Sequence, residues 1–163
     1  MKTKSTTPHW IAIGILLGVI AGIGVKVIVL GSTASGEDRR TAVLLNENER
    51  LMVLAEMRGL LEATQQIVDG LAKDDLKQVE QASLAAGSQA VGTMDFALKA
   101  KLPLDFKQLG FATHNAFDDI AEMARNGHSA SAIQTKLADT MGKCTACHSA
   151  FQIPSIITKG ESL

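Results

Sequence analysis

The chain has 163 residues, a formal net charge of −1, no tyrosine and a single tryptophan, Trp10. Its length is that of one domain of ordinary size. The balanced charge and the lack of a basic stripe interleaved with aromatic residues give nucleic-acid binding no support. A core that is poor in aromatic residues must be built from Leu, Ile, Val, Ala and Met, which favours packed helices over sheets.

The first predicted element is an apolar helix over Trp10–Leu30, interrupted only by Lys26. A helix of this length spans about 31 Å, close to the hydrocarbon thickness of a bilayer. Lys26 lies near the far end and can extend to the interface, while Lys2 and Lys4 hold the N-terminus in the cytoplasm. Residues 1–30 are therefore predicted to be a single-pass anchor in the inner (cytoplasmic) membrane of a bacterium, with the C-terminal domain in the periplasm.

A cleaved signal peptide with its apolar region at Trp10–Val25 is the alternative to a retained anchor. The following segment, 31–36, supplies small residues but no clean Ala-x-Ala site, which favours retention. Both alternatives place the next domain in the same compartment. A buried core helix is disfavoured because the run has no polar face. Residues 31–40 are small and polar and are predicted to form a short linker.

Two amphipathic helices are predicted after the linker. Apolar residues at helical spacing over 41–71 predict one long helix with a single apolar stripe. The pattern then breaks, and Asp74 is placed to cap a second helix over 75–98. Gly87 and Gly92 either weaken this second helix locally or allow close packing.

Two further helices complete the pattern. The third is predicted over 104–125 and ends at Gly127, since glycine readily adopts the left-handed conformation of a C-terminal cap. The fourth begins after Ser129 or Ser131 and runs to about Gln152. No segment shows the alternation of a strand. The predicted fold is all-α, a four-helix antiparallel bundle preceded by an N-terminal transmembrane helix, and its divisions are the anchor 1–30, the linker 31–40, the bundle domain 41–153 and a tail 154–163.

Both cysteines of the chain lie in the segment Cys144-Thr145-Ala146-Cys147-His148, which is the haem attachment signature Cys-x-x-Cys-His. Each thiol adds across one haem vinyl group, and the neighbouring histidine lies beneath the iron as the proximal ligand. On a helix Cys144 and His148 share a face, with Cys147 adjacent. That face continues an apolar stripe, so the haem is expected to face the interior of the bundle. The pattern predicts one covalent haem c held by Cys144, Cys147 and His148.

Other uses of the cysteine pair fit the sequence less well. A thioredoxin-like pair needs a strand before it and a mixed sheet around it, and neither is visible. A zinc site needs four ligands, whereas only the two cysteines, His148 and a distant histidine are at hand. A disulfide framework uses several spaced pairs.

With this motif on the last of four helices, the chain resembles the cytochrome c′ family over about residues 41–152. The resemblance is carried by the preceding helix pattern and by Cys144, Cys147, His148 and the aromatic Phe151. Members of the family are four-helix bundles with one haem near the C-terminus of the last helix. Two features depart from it: Gln152 stands where members often have a basic residue, and an N-terminal anchor is added.

The resemblance implies that the first helix of the bundle supplies the distal side of the haem. In one branch a bulky apolar residue leaves the iron five-coordinate and open to small gases, and in another a methionine makes it six-coordinate and suited to electron transfer. At 100° per residue, Met57 lies about 60° from Leu54, whereas Met52 lies about 160° away. Met57 is therefore the candidate distal ligand. An open apolar site is the alternative, because a methionine on an apolar stripe is usually core filling, and His114 is the second choice of ligand.

Together these expectations describe a monohaem c-type cytochrome of periplasmic electron transfer. No enzyme activity is expected, because no paired carboxylates, nucleophile–base pair or phosphate loop is recognisable. The expected partners are the membrane, through the N-terminal helix, and redox proteins of the respiratory or periplasmic chain. Members of the family often form homodimers, so a homodimer is an open expectation. The alternatives are a five-coordinate module that binds nitric oxide or carbon monoxide, and an accessory haem subunit of a membrane redox complex.

Overall fold

The computed structural model describes residues 7–92 and 94–155. Lys2, Lys4 and most of the predicted tail lie outside the described residues. The helices are α1 (Thr7–Val25), α2 (Glu47–Ala72), α3 (Leu76–Ala85), α4 (Ser88–Gly92), α5 (Phe96–Lys101), α6 (Leu104–Arg125) and α7 (Ala130–Ala150). The remaining elements are a π-helical turn (Lys26–Leu30) and the strands β1 (Thr33–Ser35), β2 (Thr41–Val43) and β3 (Phe151–Gln152). The fold is mostly helical with one apolar helix at its N-terminus, as predicted.

The apolar helix stands apart from the core. Its span His9–Leu30 has 22 residues and is long and apolar enough to cross a membrane. A signal sequence can have the same length and apolar character. No residue of the span is buried inside the described chain. Because a core helix of a soluble domain would bury most of this surface, the structure agrees with the expectation that this run is not a core helix.

The end of the apolar helix is attached to the domain that follows. Lys107 of α6 donates from Nζ to the carbonyl of Ile28 at 2.8 Å, and the N–H of Ser32 donates to the last carbonyl of α5 at 2.7 Å. Between these bonds Gly31 has a φ of +64° and lies so close to the 101–103 backbone that a Cβ would collide with it. The first residues of the predicted linker are therefore packed against the domain.

The predicted absence of strands is wrong. β1 and β2 form an antiparallel hairpin, and β2 pairs in parallel with β3, so that Thr41 lies opposite Phe151. The first predicted helix accordingly begins at Glu47 and not at 41. A capping box sets that start: the Asn46 side chain accepts from the N–H of Glu49, and the Glu49 carboxylate accepts from the N–H of Asn46, both at 2.9 Å.

The second predicted helix, 75–98, is divided into α3, α4 and α5. α3 begins after Asp75, which caps it in place of the predicted Asp74. The break after α3 lies at Gly87, where a Cβ would collide with the Asp118 side chain, and Asp118 accepts from the N–H of Ser88 at 3.0 Å. The third and fourth predicted helices are confirmed as α6 and α7, with the Ser129 side chain capping α7.

Two apolar clusters form the core. The larger joins α2, α3, α6 and α7 and contains the fully buried Ile67, Val79, Phe117, Ile120 and Ile133. The smaller encloses the end of α2 near the sheet together with α5 and the start of α6, and Met57, Cys147 and Phe151 pack against it. The haem attachment segment predicted from the sequence therefore ends beside the smaller cluster.

Candidate functional site

A cleft of about 520 Å³ opens among α2, α5, α6 and α7. This volume lies within the ~300–1,000 Å³ typical of pockets for small molecules and cofactors. The cleft is lined mainly by apolar side chains, among them Leu54, Leu61, Met94, Phe106, Phe111 and Met141. Cys144, Cys147 and His148 also line it, and so does Met57. The structure thus brings all four sequence-predicted site residues to one cavity.

The two cysteines lie on α7 within its last two turns and are half-buried. Neither forms a disulfide. As free thiols both have a pKa above the ordinary value of 9.0, because burial disfavours the thiolate; for Cys147 the charge of Cys144 adds to this effect. A redox-active Cys-x-x-Cys pair has the opposite property, a thiolate stabilised at a helix N-terminus or by a cation. The thioredoxin-like alternative therefore loses support.

His148 completes the motif on the same wall of the cleft. Its side chain is exposed, and its ring forms no hydrogen bond to any residue that the structure describes. The backbone of α7 ends just beyond it, where the N–H of Phe151 donates to the carbonyl of Cys147. Both ring nitrogens of His148 are consequently available to a group bound in the cleft.

Met57 and Met52 take different positions on α2. Met57 is partly buried, lines the cleft and packs against the same cluster as Cys147. Met52 is 54% exposed and does not line the cleft. The helical spacing had placed the two residues on different sides of α2, and the structure agrees. The role of Met57 as an axial ligand stays a prediction.

His114, the second choice of ligand, lies in the α6 wall of the cleft and is only 3% exposed. Its Nδ1 is 2.8 Å from the carbonyl oxygen of Ala86, and its Nε2 is 3.7 Å from Oε1 of Glu56. Because a carbonyl oxygen only accepts, Nδ1 must carry a proton. The ring is therefore held in place by the protein itself, as expected of a satisfied, buried histidine.

Three cationic side chains line the cleft: Arg58, Lys99 and Lys107. Arg58 is placed where it could bind the propionates of a haem, and Lys143 lies next to the haem attachment segment in the sequence. Lys143 instead donates to the carbonyl of Asp139 at 3.4 Å and does not line the cleft. Lys99 and Lys107 were missed, because their position depends on how α5 and α6 pack and no local pattern marks them.

The residues present fit a covalently bound haem. The cleft is mostly apolar and of suitable size, and it carries two cysteines and a free imidazole on one wall. Its cations could pair with the two carboxylates of the haem. In contrast, no group of three or more His, Cys, Asp or Glu residues in 7–92 and 94–155 could hold a bare metal ion. No family model, curated protein or solved structure matches this chain.

Proposed function

We propose that this protein is a membrane-anchored monohaem c-type cytochrome that transfers electrons. One haem c would be bound through thioethers at Cys144 and Cys147 and ligated by His148. The observation that carries the proposal is that the complete Cys-x-x-Cys-His segment lines an apolar cleft of about 520 Å³. Haem, when bound, supplies a one-electron couple at its iron.

The chain's own residues would bind and tune that group. The two cysteines would hold it covalently on α7, and Met57 is the candidate second protein ligand of its iron. The apolar lining would exclude water from the bound group and, with sulfur ligation by Met57, would raise its reduction potential. Arg58, Lys99 and Lys107 offer positive charge to the propionates.

We also propose a four-helix antiparallel bundle of the cytochrome c′ type, in which α3, α4 and α5 together take the place of the second helix. Support comes from the core shared by α2, α3, α6 and α7 and from the motif near the end of α7. The exposed apolar helix at the N-terminus supports attachment to a membrane. From the lysines at positions 2 and 4 we propose that this is the inner membrane of a bacterium, with the domain in the periplasm. Redox proteins of the respiratory or periplasmic chain are the proposed partners, and a homodimer is compatible with this function.

A five-coordinate module that binds nitric oxide or carbon monoxide is the second candidate. Leu54, Leu60 and Leu61 of α2 line the cleft together with Met57. If one of them and not Met57 covered the distal side of the iron, the sixth position would remain open to a small gas. The axial role of Met57 therefore separates the two functions.

The test is expression of the full chain in bacteria that assemble c-type cytochromes, followed by mass measurement and absorption spectra in both oxidation states. We expect one haem that survives acid–acetone extraction and a low-spin spectrum. Met57→Leu conserves volume and should cost less than about 1.5 kcal/mol of stability. It should nevertheless convert the spectrum to high spin and allow rapid carbon monoxide binding.

Met52→Leu is the matched control, since it makes the same change on α2 at an exposed position outside the cleft. It should leave the spectrum unchanged. A colourless wild-type protein with two free thiols would refute the proposal. A haem-loaded wild-type protein that is high-spin, and in which Met57→Leu has no effect, would instead establish the gas-binding alternative.

A further inference from the structure

The β1–β2 hairpin lies against the end of α7 that carries the haem motif. β2 pairs in parallel with β3, which follows α7 directly, and the partners are Thr41 with Phe151 and Ala42 with Gln152. The hairpin also follows the apolar N-terminal helix. A segment that the sequence predicts to be a linker therefore connects the membrane end of the chain to the cofactor end.

The Arg40 side chain, just before β2, contacts the backbone at the end of the motif. Its guanidinium donates from one terminal nitrogen to the carbonyls of His148 at 3.2 Å and Phe151 at 3.4 Å. Carbonyls at the end of a helix lack partners within the helix and carry partial negative charge. A guanidinium suits this place because it is always charged and its donors have a fixed, planar geometry.

Asp38 keeps the guanidinium in place. Nε of Arg40 donates to Oδ2 of Asp38 at 2.7 Å, and Nε2 of Gln152 donates to Oδ1 of Asp38 at 3.1 Å. The backbone N–H and the guanidinium of Arg40 hold the pKa of Asp38 below its ordinary value of 3.8, so this carboxylate stays ionised. The hairpin turn and the residue two positions after the end of α7 thus share one network.

Two more contacts hold the same segment from the other side. Nε of Arg50 in α2 donates to the carbonyl of Ile153 at 3.4 Å. The ring of Phe151 meets that of Phe106 edge-on, with 5.4 Å between their centroids. The chain just after His148 is consequently fixed by the hairpin, by α2 and by α6, whereas the His148 side chain remains exposed.

We infer that Arg40 is a positioning residue for the proximal ligand: by binding the His148 carbonyl it sets the orientation in which the His148 imidazole meets the iron. The inference rests on the proposed function. Without Arg40 the last turn of α7 would keep its α-helical bonds, and β3 its pairing with β2, but the bond from the hairpin to the His148 carbonyl would be lost. The imidazole would then occupy a broader range of orientations, which a ferric haem reports in its electron paramagnetic resonance spectrum.

The test compares Arg40→Gln and Arg40→Lys with the control Arg39→Gln in the full, haem-loaded chain. The control removes the same charge one residue away, at a side chain that makes no hydrogen bond within residues 7–92 and 94–155. Mass spectrometry measures haem content, hydrogen exchange measures opening of peptides over 147–153, and paramagnetic resonance reports the axial ligand. Arg40→Lys keeps the charge but loses the planar donor geometry of the guanidinium, and it provides the comparison if Arg40→Gln does not fold.

For Arg40→Gln we expect full haem content, roughly tenfold faster exchange over 147–153, and shifted or broadened axial signals, because bonds to a charged group are lost. Arg40→Lys should show the same changes more weakly, and Arg39→Gln should match the wild type. Full haem content with both Arg40 variants identical to Arg39→Gln would overturn the inference and leave the proposed function intact. A wild-type protein without haem would refute the proposed function itself, and the inference with it.

Discussion

Replacing His114 with leucine distinguishes a structural role of this residue from a role as axial ligand. The imidazole is 3% exposed and its Nδ1 lies 2.8 Å from the carbonyl oxygen of Ala86. Leucine fills much of the same space but offers no donor, so the Ala86 carbonyl would remain buried without this partner. If the role is structural, the change should destabilise the fold and leave the haem spectrum unaltered.

The expected loss follows from that one hydrogen bond. Leaving a buried acceptor without its donor costs about 1–3 kcal/mol, and apolar burial is largely retained, so we expect a loss of ~2 kcal/mol. With a urea dependence of ~2 kcal/mol per molar, the midpoint of unfolding should fall by about 1 M. His128→Leu is the control: His128 is exposed in the loop before α7, and its replacement should change stability by less than about 0.5 kcal/mol.

The assay is urea unfolding of the detergent-solubilised chain, followed by circular dichroism, together with absorption spectra of each variant. A His114→Leu midpoint equal to that of His128→Leu would contradict the stabilising role of the buried bond. Conversion of the spectrum to high spin by His114→Leu, with Met57→Leu unchanged, would make His114 the ligand and refute the reasoning.

Two further predictions concern titrating groups. The Lys101 ammonium, 2.6 Å from Glu49, holds the pKa of Glu49 below its ordinary value of 4.5; the pair therefore stabilises the fold fully above that value and progressively less as pH falls below it. The stability advantage of the wild type over Glu49→Gln, measured as the difference in urea midpoint, should therefore shrink on acidification. A difference that does not change with pH would contradict this. Glu47→Gln is the control, since it removes a carboxylate two residues away that does not pair with Lys101. In protein made without haem, Cys144 and Cys147 should react with iodoacetamide more slowly in the folded state than in the unfolded state, because burial raises the pKa of both thiols. Haem-loaded protein should show no reactive thiol even when unfolded, and equal rates in folded and unfolded haem-free protein would argue against their burial.

The parts of the site that depend on local geometry could be predicted from the sequence. Cys144 and His148 share a face simply because they are four residues apart on a helix, and the cap at Ser129 fixes where that helix begins. The same reasoning separated Met57 from Met52. Each of these results needs only the 3.6-residue period.

The parts that depend on distant segments could not. The strands have two or three residues each, which is too short for alternation to be recognised, and the bond from Arg40 to His148 joins residues 108 positions apart. The break between α3 and α4 likewise depends on Asp118, which accepts from the N–H of Ser88 across 30 positions. One signal was present and not used: Asn46 followed three residues later by Glu49 marks a helix start.

Lys107 has a consequence for how the protein would meet a partner. The same ammonium that binds the Ile28 carbonyl at the end of the apolar helix also borders the cleft. If α1 crosses a bilayer, this bond and the packing of Gly31 against the 101–103 backbone keep the cleft close to the lipid boundary. If the cleft also holds the proposed haem, electron exchange would depend on lateral diffusion and on partners whose redox centres lie at that same level.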